Sequence, residues 1–269
     1  MHKQRVLITG GGSGLGRALA LRYARAGWRA GLADISLERA ESVAAEIRAL
    51  GGEADSFSVD VASDEAVLAL RDEVMARWGG LEHLYNNAGV SSAGNLLQTP
   101  MTDWRWMLEI NLLSVVRGCQ AFLPEMLRQG SGHVVNTASF AGLAGAGGLS
   151  SYSVAKAAVV TLSETLRAEL ALADSRVGVS VVCPSFFRTN LLQNFRGPDA
   201  SRQMAQKLME NAAENADDIA AAIFDAVMAG RFLIVPTALE RMRYRLKRWL
   251  PEFYFGRLVA ALKAAGRSA

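Results

Sequence analysis

Residues 5–16, RVLITGGGSGLG, decide the fold. Arg5–Thr9 is a short β-rich run, and from Leu15 to Ala26 the pattern turns helical. Strand, glycine-rich turn and helix in that order set backbone N–H groups and a helix N-terminus around an anion such as a pyrophosphate. The glycines are spaced G-x3-G-x-G (Gly10, Gly14, Gly16), with Ser13 and Leu15 between them. A glycine run alone is weak evidence, because turns are glycine-rich anyway. Asp34 strengthens it: it closes the second strand pattern, 24 residues after Gly10. A carboxylate there accepts hydrogen bonds from adenosine ribose hydroxyls and repels a 2′-phosphate. Ser13 and Ile35 stand where a cation would welcome that phosphate, so NAD is expected over NADP.

Outward from this stretch, short apolar runs alternate with longer amphipathic ones. Strands are expected at Arg5–Thr9, Ala30–Asp34, Ser56–Asp60, Leu81–Asn86, His133–Ala138, Val177–Cys183 and Phe232–Val235. Helices are expected at Leu15–Ala26, Leu37–Leu50, Asp64–Trp78, Asp103–Gln129, Ser151–Leu172 and Asp217–Ala229. The strands are mostly apolar on both faces, as strands covered by helices should be, and the alternation predicts a parallel sheet with right-handed crossovers. Ser63/Asp64 and Thr102/Asp103 supply N-cap chemistry, and Gly27, Gly51 and Gly130 supply stops. Phe186 to Asn215 is the one long irregular stretch, and a segment of that length reads as a lid or binding loop. Residues 1–238 are expected to form one catalytic domain and 239–269 a basic amphipathic helical extension.

The 269 residues include 51% apolar and 20% charged side chains, a globular balance. No secretory signal is read at the N-terminus, and no run is long and apolar enough to span a bilayer. Cys119 lies in a helical pattern and Cys183 at a strand end, and neither resembles a metal or redox pair, so a reduced, cytoplasmic setting with two buried thiols is expected. His2, His83 and His133 are scattered, and no metal site is expected. The net charge of +3 is uneven: residues 240–269 carry eight basic and two acidic groups, the rest 21 and 24. The tail is therefore +6 and the remainder −3.

The chemistry is carried by TASFAGLAGAGGLSSYSVAK, in which Tyr152 and Lys156 are four apart and Ser139 lies thirteen before Tyr152. On a helix, four residues place two side chains on one face. An ammonium beside a phenol stabilises the phenolate, which makes Tyr152 an acid/base near neutral pH. Ser139, at the end of an apolar strand, is placed to hold the reacting oxygen. Asp60-Val61 ends the third strand pattern, where an adenine edge would lie. Asn86-Asn87-Ala88-Gly89 ends the fourth, with small residues and amides suited to close backbone approach.

Together these motifs resemble the short-chain dehydrogenase/reductase family, in its short single-domain branch. The resemblance runs in register over about residues 5–236: TGGGSGLG, Asp34, Asp60-Val61, NNAG at 86–89, Asn111, Ser139, YSVAK at 152–156, and Pro184 to Thr189. It implies a seven-stranded, doubly wound Rossmann-type α/β sheet, a homodimer or homotetramer, and hydride transfer between a nicotinamide and an alcohol or carbonyl. It assigns Tyr152 as acid/base and Lys156 as the group that lowers the tyrosine pKa and holds the nicotinamide ribose. Ser139 orients the substrate oxygen, and Asn111 holds a water that relays protons to Lys156. Thr189 and the Phe187 backbone bind the carboxamide beyond Pro184. Two departures stand out: Pro184-Ser185 replaces the usual Pro-Gly, and about thirty residues follow Pro236.

The loop's Phe186, Leu191, Leu192, Phe195 and Met204, with Phe140, Leu143 and Leu149, would roof an apolar pocket for a lipophilic secondary alcohol or ketone. A 3-oxoacyl thioester reductase and a non-catalytic dinucleotide sensor or scaffold are the alternatives. In the tail, Met242, Leu246, Trp249, Leu250 and Phe253 follow helical spacing up to and past Pro251, beside Arg241, Arg245 and Arg248. Such a tail either packs on the domain or a partner subunit or makes peripheral contact with an anionic membrane. Nucleic-acid binding is not expected, since no recognition motif accompanies the charge.

Overall fold

The computed structural model describes residues 3–189, 192 and 194–267. β1 (Arg5–Thr9) leads through the glycine turn into α1 (Gly14–Arg25), followed by β2 (Arg29–Asp34), α2 (Leu37–Ala49), β3 (Glu53–Ser58), α3 (Asp64–Trp78) and β4 (His83–Asn86). Then come α4 (Met101–Leu108), α5 (Ser114–Gln129), β5 (Gly132–Thr137), the short α6 (Phe140–Ala144), α7 (Ser150–Leu172) and β6 (Val177–Val182). The chain ends with α8 (Asp199–Glu210), α9 (Ala216–Met228), β7 (Leu233–Ile234), α10 (Ala238–Trp249) and α11 (Pro251–Arg267). The seven strands form one parallel sheet in the order β3-β2-β1-β4-β5-β6-β7. The order reverses between β1 and β4, and a crevice opens beyond strand C-termini at such a switch point.

Helices cover both faces of the sheet. Leu19, Tyr23, Val43, Ile47, Ile223 and Phe224 pack on one side, from α1, α2 and α9. Val74, Trp78, Phe122, Val159 and Leu166 pack on the other, from α3, α5 and α7. Burying each large side chain stabilises the fold by about 1.5–3 kcal/mol, which holds the strand ends in register for the site. Ser36 and Ser63 cap α2 and α3 by accepting from Arg39 N and Ala66 N. Asn215 and Asp218 form a reciprocal capping box on α9.

Three expectations needed correction. The segment 103–129 is not one helix: a π-helical turn, Glu109–Leu113, separates α4 from α5. Its helix begins at Met101 behind Pro100 rather than at a Thr102/Asp103 cap, because proline preorganises the entry and leaves Asp103 in the first turn. The 186–215 stretch is not irregular throughout, since it contains α8. The apolar signal of α8 is thin, and only Met209 in it is buried. Leu191 of the anticipated lid lies outside the described residues.

Candidate active site

The C-terminal ends of the strands and the loops beyond them enclose a cavity of about 640 Å³. At one end lies the glycine turn. Gly14 has φ +51°, and a Cβ there would stand 2.7 Å from Thr189 Oγ1. A Cβ on Gly16 would stand 2.1 Å from the Gly10 carbonyl, so α1 and β1 approach as closely as glycine permits. Ser13 precedes α1, and its hydroxyl makes no capping bond to the helix. A cradle that a Cβ would fill, at a helix N-terminus with a free hydroxyl, fits a pyrophosphate. Leu15, Ile35, Asp60, Val61, Ala88 and Gly89 line the same cavity, as do Gly10 and Asn87. Asp60 sits two residues past the end of β3, not within it, and accepts from Ala62 N at 2.9 Å.

Asp34 closes β2 and is buried. Its Oδ2 accepts from Gly12 N at 3.1 Å, and its Oδ1 accepts from Ser36 N at 3.0 Å and from Arg39 Nη2 at 2.8 Å. Arg39 also lines the cavity. The sequence reading weighed only positions 13 and 35 for a cation. Position 39 was missed, although Ser36 starts a helix and so turns residue 39 back toward the strand end.

The NNAG loop is tied to β1. Thr9 Oγ1 accepts from Asn87 N (2.9 Å) and Ala88 N (3.0 Å), and Asn87 Nδ2 donates to Thr9 O at 3.0 Å. Asn86 Nδ2 donates to Asn136 Oδ1 at 2.9 Å, linking the ends of β4 and β5. These amides do tie neighbouring strand ends together.

At the other end of the cavity stand Ser139, Tyr152 and Lys156, with Asn111, Pro184, Phe187 and Thr189. Ser139 caps α6, its Oγ accepting from Ala141 N at 3.2 Å. Lys156 is buried on α7 and donates to the Thr137 carbonyl at 2.9 Å. Its Nζ lies 6.0 Å from the Tyr152 ring centre. Burial pushes the lysine pKa down to about 8. Burial also pushes the Tyr152 phenol up, while a hydrogen bond with Ser139 pulls it down. Lys156 meanwhile donates to the main chain of β5 from the same helix as Tyr152. Asn111 is fully buried in the π-helical turn. It donates to Val90 O at 3.0 Å and accepts from Val90 N at 3.2 Å, so its amide clamps the loop after β4. A π-turn inside a helix commonly marks a functional position.

Every anticipated catalytic and cofactor-binding residue lines this one cavity, whereas Leu149, Phe186 and Met204, expected to roof it, do not. Sequence reading missed Trp106, Ile110 and Arg196, which line it beside Phe195. Arg196 stacks 4.0 Å over Trp106 and pairs with Asp103 at 3.1 Å. No motif announces these three, because they meet only when α4 and the 194–197 segment fold over the strand ends. Phe140 and Leu143, expected in the pocket, pack instead into the core. Both cysteines are buried free thiols pushed up to about 12 by burial. Among the described residues no His/Cys/Asp/Glu group is arranged for a metal, and no helix is long and apolar enough to cross a membrane.

Residues 4–200 match the short chain dehydrogenase family. The probable oxidoreductase EphD of Mycobacterium tuberculosis is 37% identical over 258 residues, which is 92% of this chain and 43% of EphD. The chain thus spans less than half the length of that relative. The 3-oxoacyl-[acyl-carrier-protein] reductase FabG of Thermotoga maritima is 31% identical over 74% of this chain and 79% of its own length. Among solved structures, a short-chain dehydrogenase/reductase of Burkholderia phymatum in complex with NAD superposes with a TM-score of 0.86. It is 33% identical, with 93% of this chain and 95% of that one covered. A metagenomic short-chain oxidoreductase in complex with NADP gives a TM-score of 0.70 at 27% identity, covering 87% and 97%. The sequence match, the seven-stranded sheet and the dinucleotide-sized cavity at its switch point agree: the chain belongs to the short-chain dehydrogenase/reductase family of oxidoreductases.

Proposed function

We propose that the protein is an NAD-dependent oxidoreductase that interconverts a lipophilic secondary alcohol and its ketone. One observation carries the reading: Ser139, Tyr152 and Lys156 converge at one end of a cavity whose other end is the glycine cradle and Asp34. Gly14, Ser13 and Gly16 would hold the pyrophosphate, Asp34 the adenosine ribose, Asp60 and Val61 the adenine edge. Lys156 would hold the second ribose, and Thr189 with the Phe187 backbone the carboxamide. When bound, the nicotinamide supplies the hydride acceptor or donor.

The chain's own residues handle the proton. In the oxidation direction Tyr152 accepts the hydroxyl proton at its phenolate oxygen, and in reduction it returns one to the carbonyl oxygen. Ser139 holds that oxygen beside the phenol. Lys156, lowered by burial to about 8 and with its Nζ 6.0 Å from the Tyr152 ring centre, would in its protonated form place positive charge close to the phenolate as it forms. Trp106, Ile110 and Phe195 add apolar surface to the cavity wall. That wall supports a lipophilic substrate. A homodimer or homotetramer is the assembly we propose.

A 3-oxoacyl thioester reductase is the second reading, favoured by the likeness to FabG and by Arg39 beside Asp34. The test is fluorescence titration with NADH and NADPH, followed by turnover of secondary alcohols, ketones and 3-oxoacyl thioesters with the preferred cofactor. NADH preference with turnover of lipophilic alcohols bears the proposal out. NADPH preference with thioester reduction puts the second reading in its place, and binding neither cofactor overturns both.

A further inference from the structure

The tail is the one feature singled out in the sequence that the active site does not absorb. Its inner face is already committed. Tyr254 is buried, and Tyr244, Leu246 and Leu258 pack against the core. Arg241 Nη1 donates to the carbonyls of Val235 (2.9 Å) and Pro236 (2.7 Å), and Lys247 Nζ donates to Leu143 O at 2.5 Å. These contacts hold α10 and α11 on the domain as a fixed corner hinged at Leu250.

The outer side of that corner is bare. Trp249 is 82% exposed and Phe255 61%, and Met242, Leu250 and Phe253 are exposed with them. Because the helices are pinned by their opposite side, these residues cannot fold back onto their own domain. On α10, Met242, Arg245 and Trp249 follow the i, i+3, i+7 spacing of one outward stripe. Among the described residues the only carboxylate paired with a tail base is Glu240, with Arg243 at 3.3 Å. Among the described residues Arg245 and Arg257 make no ion pair, and Arg248 donates to the Tyr244 hydroxyl at 3.3 Å. Glu164 on α7 also acts on Arg248.

We propose that this corner docks on an anionic lipid bilayer surface. An exposed tryptophan and two phenylalanines beside Arg245, Arg248 and Arg257, which outnumber the exposed Glu252, suit the boundary between headgroups and acyl chains. The charge asymmetry sets the orientation, since the +6 tail is drawn to an anionic surface and the −3 remainder is not. A second copy of the chain is the less fitting occupant. A two-fold contact through this corner brings one +6 tail against another, with Glu252 the exposed carboxylate each offers against the arginines. The inference is independent of the reading of the active site.

The test is cosedimentation of the full-length protein with phosphatidylcholine vesicles, with and without phosphatidylglycerol. Binding only to the anionic vesicles, weakening as salt rises, is expected. Arg245→Gln with Arg248→Gln should lower partitioning roughly thirtyfold. Trp249→Ala with Phe253→Ala should lower it by at least as much as the arginine pair, with NADH binding and thermal midpoint unchanged. Absence of cosedimentation, or binding that survives both double variants, overturns the proposal. So does an oligomer that dissociates when Trp249 and Phe253 are removed, since that makes the corner a subunit interface.

Discussion

The same parallel strands carry two largely buried polar clusters, one toward each end of the sheet, and one of them faces the cavity. At the C-terminal ends, Ser139, Tyr152, Lys156 and Asn111 face a cavity of about 640 Å³. Toward the opposite ends, Tyr23 OH bonds His83 Nδ1 at 2.7 Å and Tyr85 OH at 2.9 Å. Beside them His133 Nε2 bonds Ser180 Oγ at 2.7 Å. The rings of Tyr23, Trp28, Tyr85 and Phe224 close edge-on around this second cluster. Both clusters contain strongly shifted groups: burial depresses Lys156 to about 8, His83 to about 3 and His133 to about 4. A shifted pKa therefore marks burial, and burial marks a site only where space and an orienting partner come with it. The two clusters should respond to mutation and pH in opposite ways.

Tyr152→Phe should give the largest effect. Removing one oxygen from the open cluster should cut turnover by roughly 10³-fold, the scale of a lost general acid/base. NADH affinity and thermal stability should stay within about twofold and a few degrees. Stopped-flow turnover and fluorescence titration check this. Turnover within tenfold of the parent would mean that the open cluster is as structural as the closed one.

The closed cluster should show itself in acid and not in turnover. The folded pKa values of His83 and His133 lie below the ordinary value of about 6.5. Between pH 6.5 and 4 the unfolded chain takes up protons that the folded chain refuses. Stability is therefore full above about pH 6.5 and falls as the pH drops through this window. At pH 4.5 each histidine should account for a loss on the order of 2 kcal/mol. Together that is roughly a 10 °C drop in Tm for a chain of this size. Calorimetry from pH 7 to 4.5 tests it, and His83→Asn with His133→Asn should flatten the slope. An unchanged slope in that double variant would assign the acid sensitivity elsewhere.

The two clusters also differ in how far they could be read before folding. The open one was legible because its residues recur at fixed intervals set by local structure. Tyr152 and Lys156 share a helix face, the glycines share a turn, and Asp34 ends a strand. Strand and helix positions followed from alternation to within a few residues. The closed cluster was not legible, because Tyr23, Tyr85, His83 and Ser180 come from α1, β4 and β6 and meet only through sheet register. For the same reason Trp106 and Arg196 were missed in the pocket wall, and the π-turn at Asn111 was hidden inside a continuous helical pattern.

Arg39 is a charge lining the open cavity that is nevertheless held in an ion pair, as the groups of the closed cluster are held by their partners. Its guanidinium holds Asp34 Oδ1 at 2.8 Å, yet its side chain is 47% exposed while that of Asp34 is 7% exposed. Gly12 N and Ser36 N keep the carboxylate fixed, so the arginine is the partner free to leave. Paired, it masks the negative charge that would repel a 2′-phosphate; swung away, it could meet that phosphate. Arg39→Ala should therefore weaken NADPH binding roughly tenfold more than NADH binding, because the bare carboxylate faces the cofactor in both cases but opposes only the phosphate. Asp34→Asn should move the ratio the other way by a similar factor. Parallel NADH and NADPH titrations of the three proteins decide it. Equal losses for both cofactors in Arg39→Ala would make the residue a brace for the β2 end, with no part in telling the two dinucleotides apart.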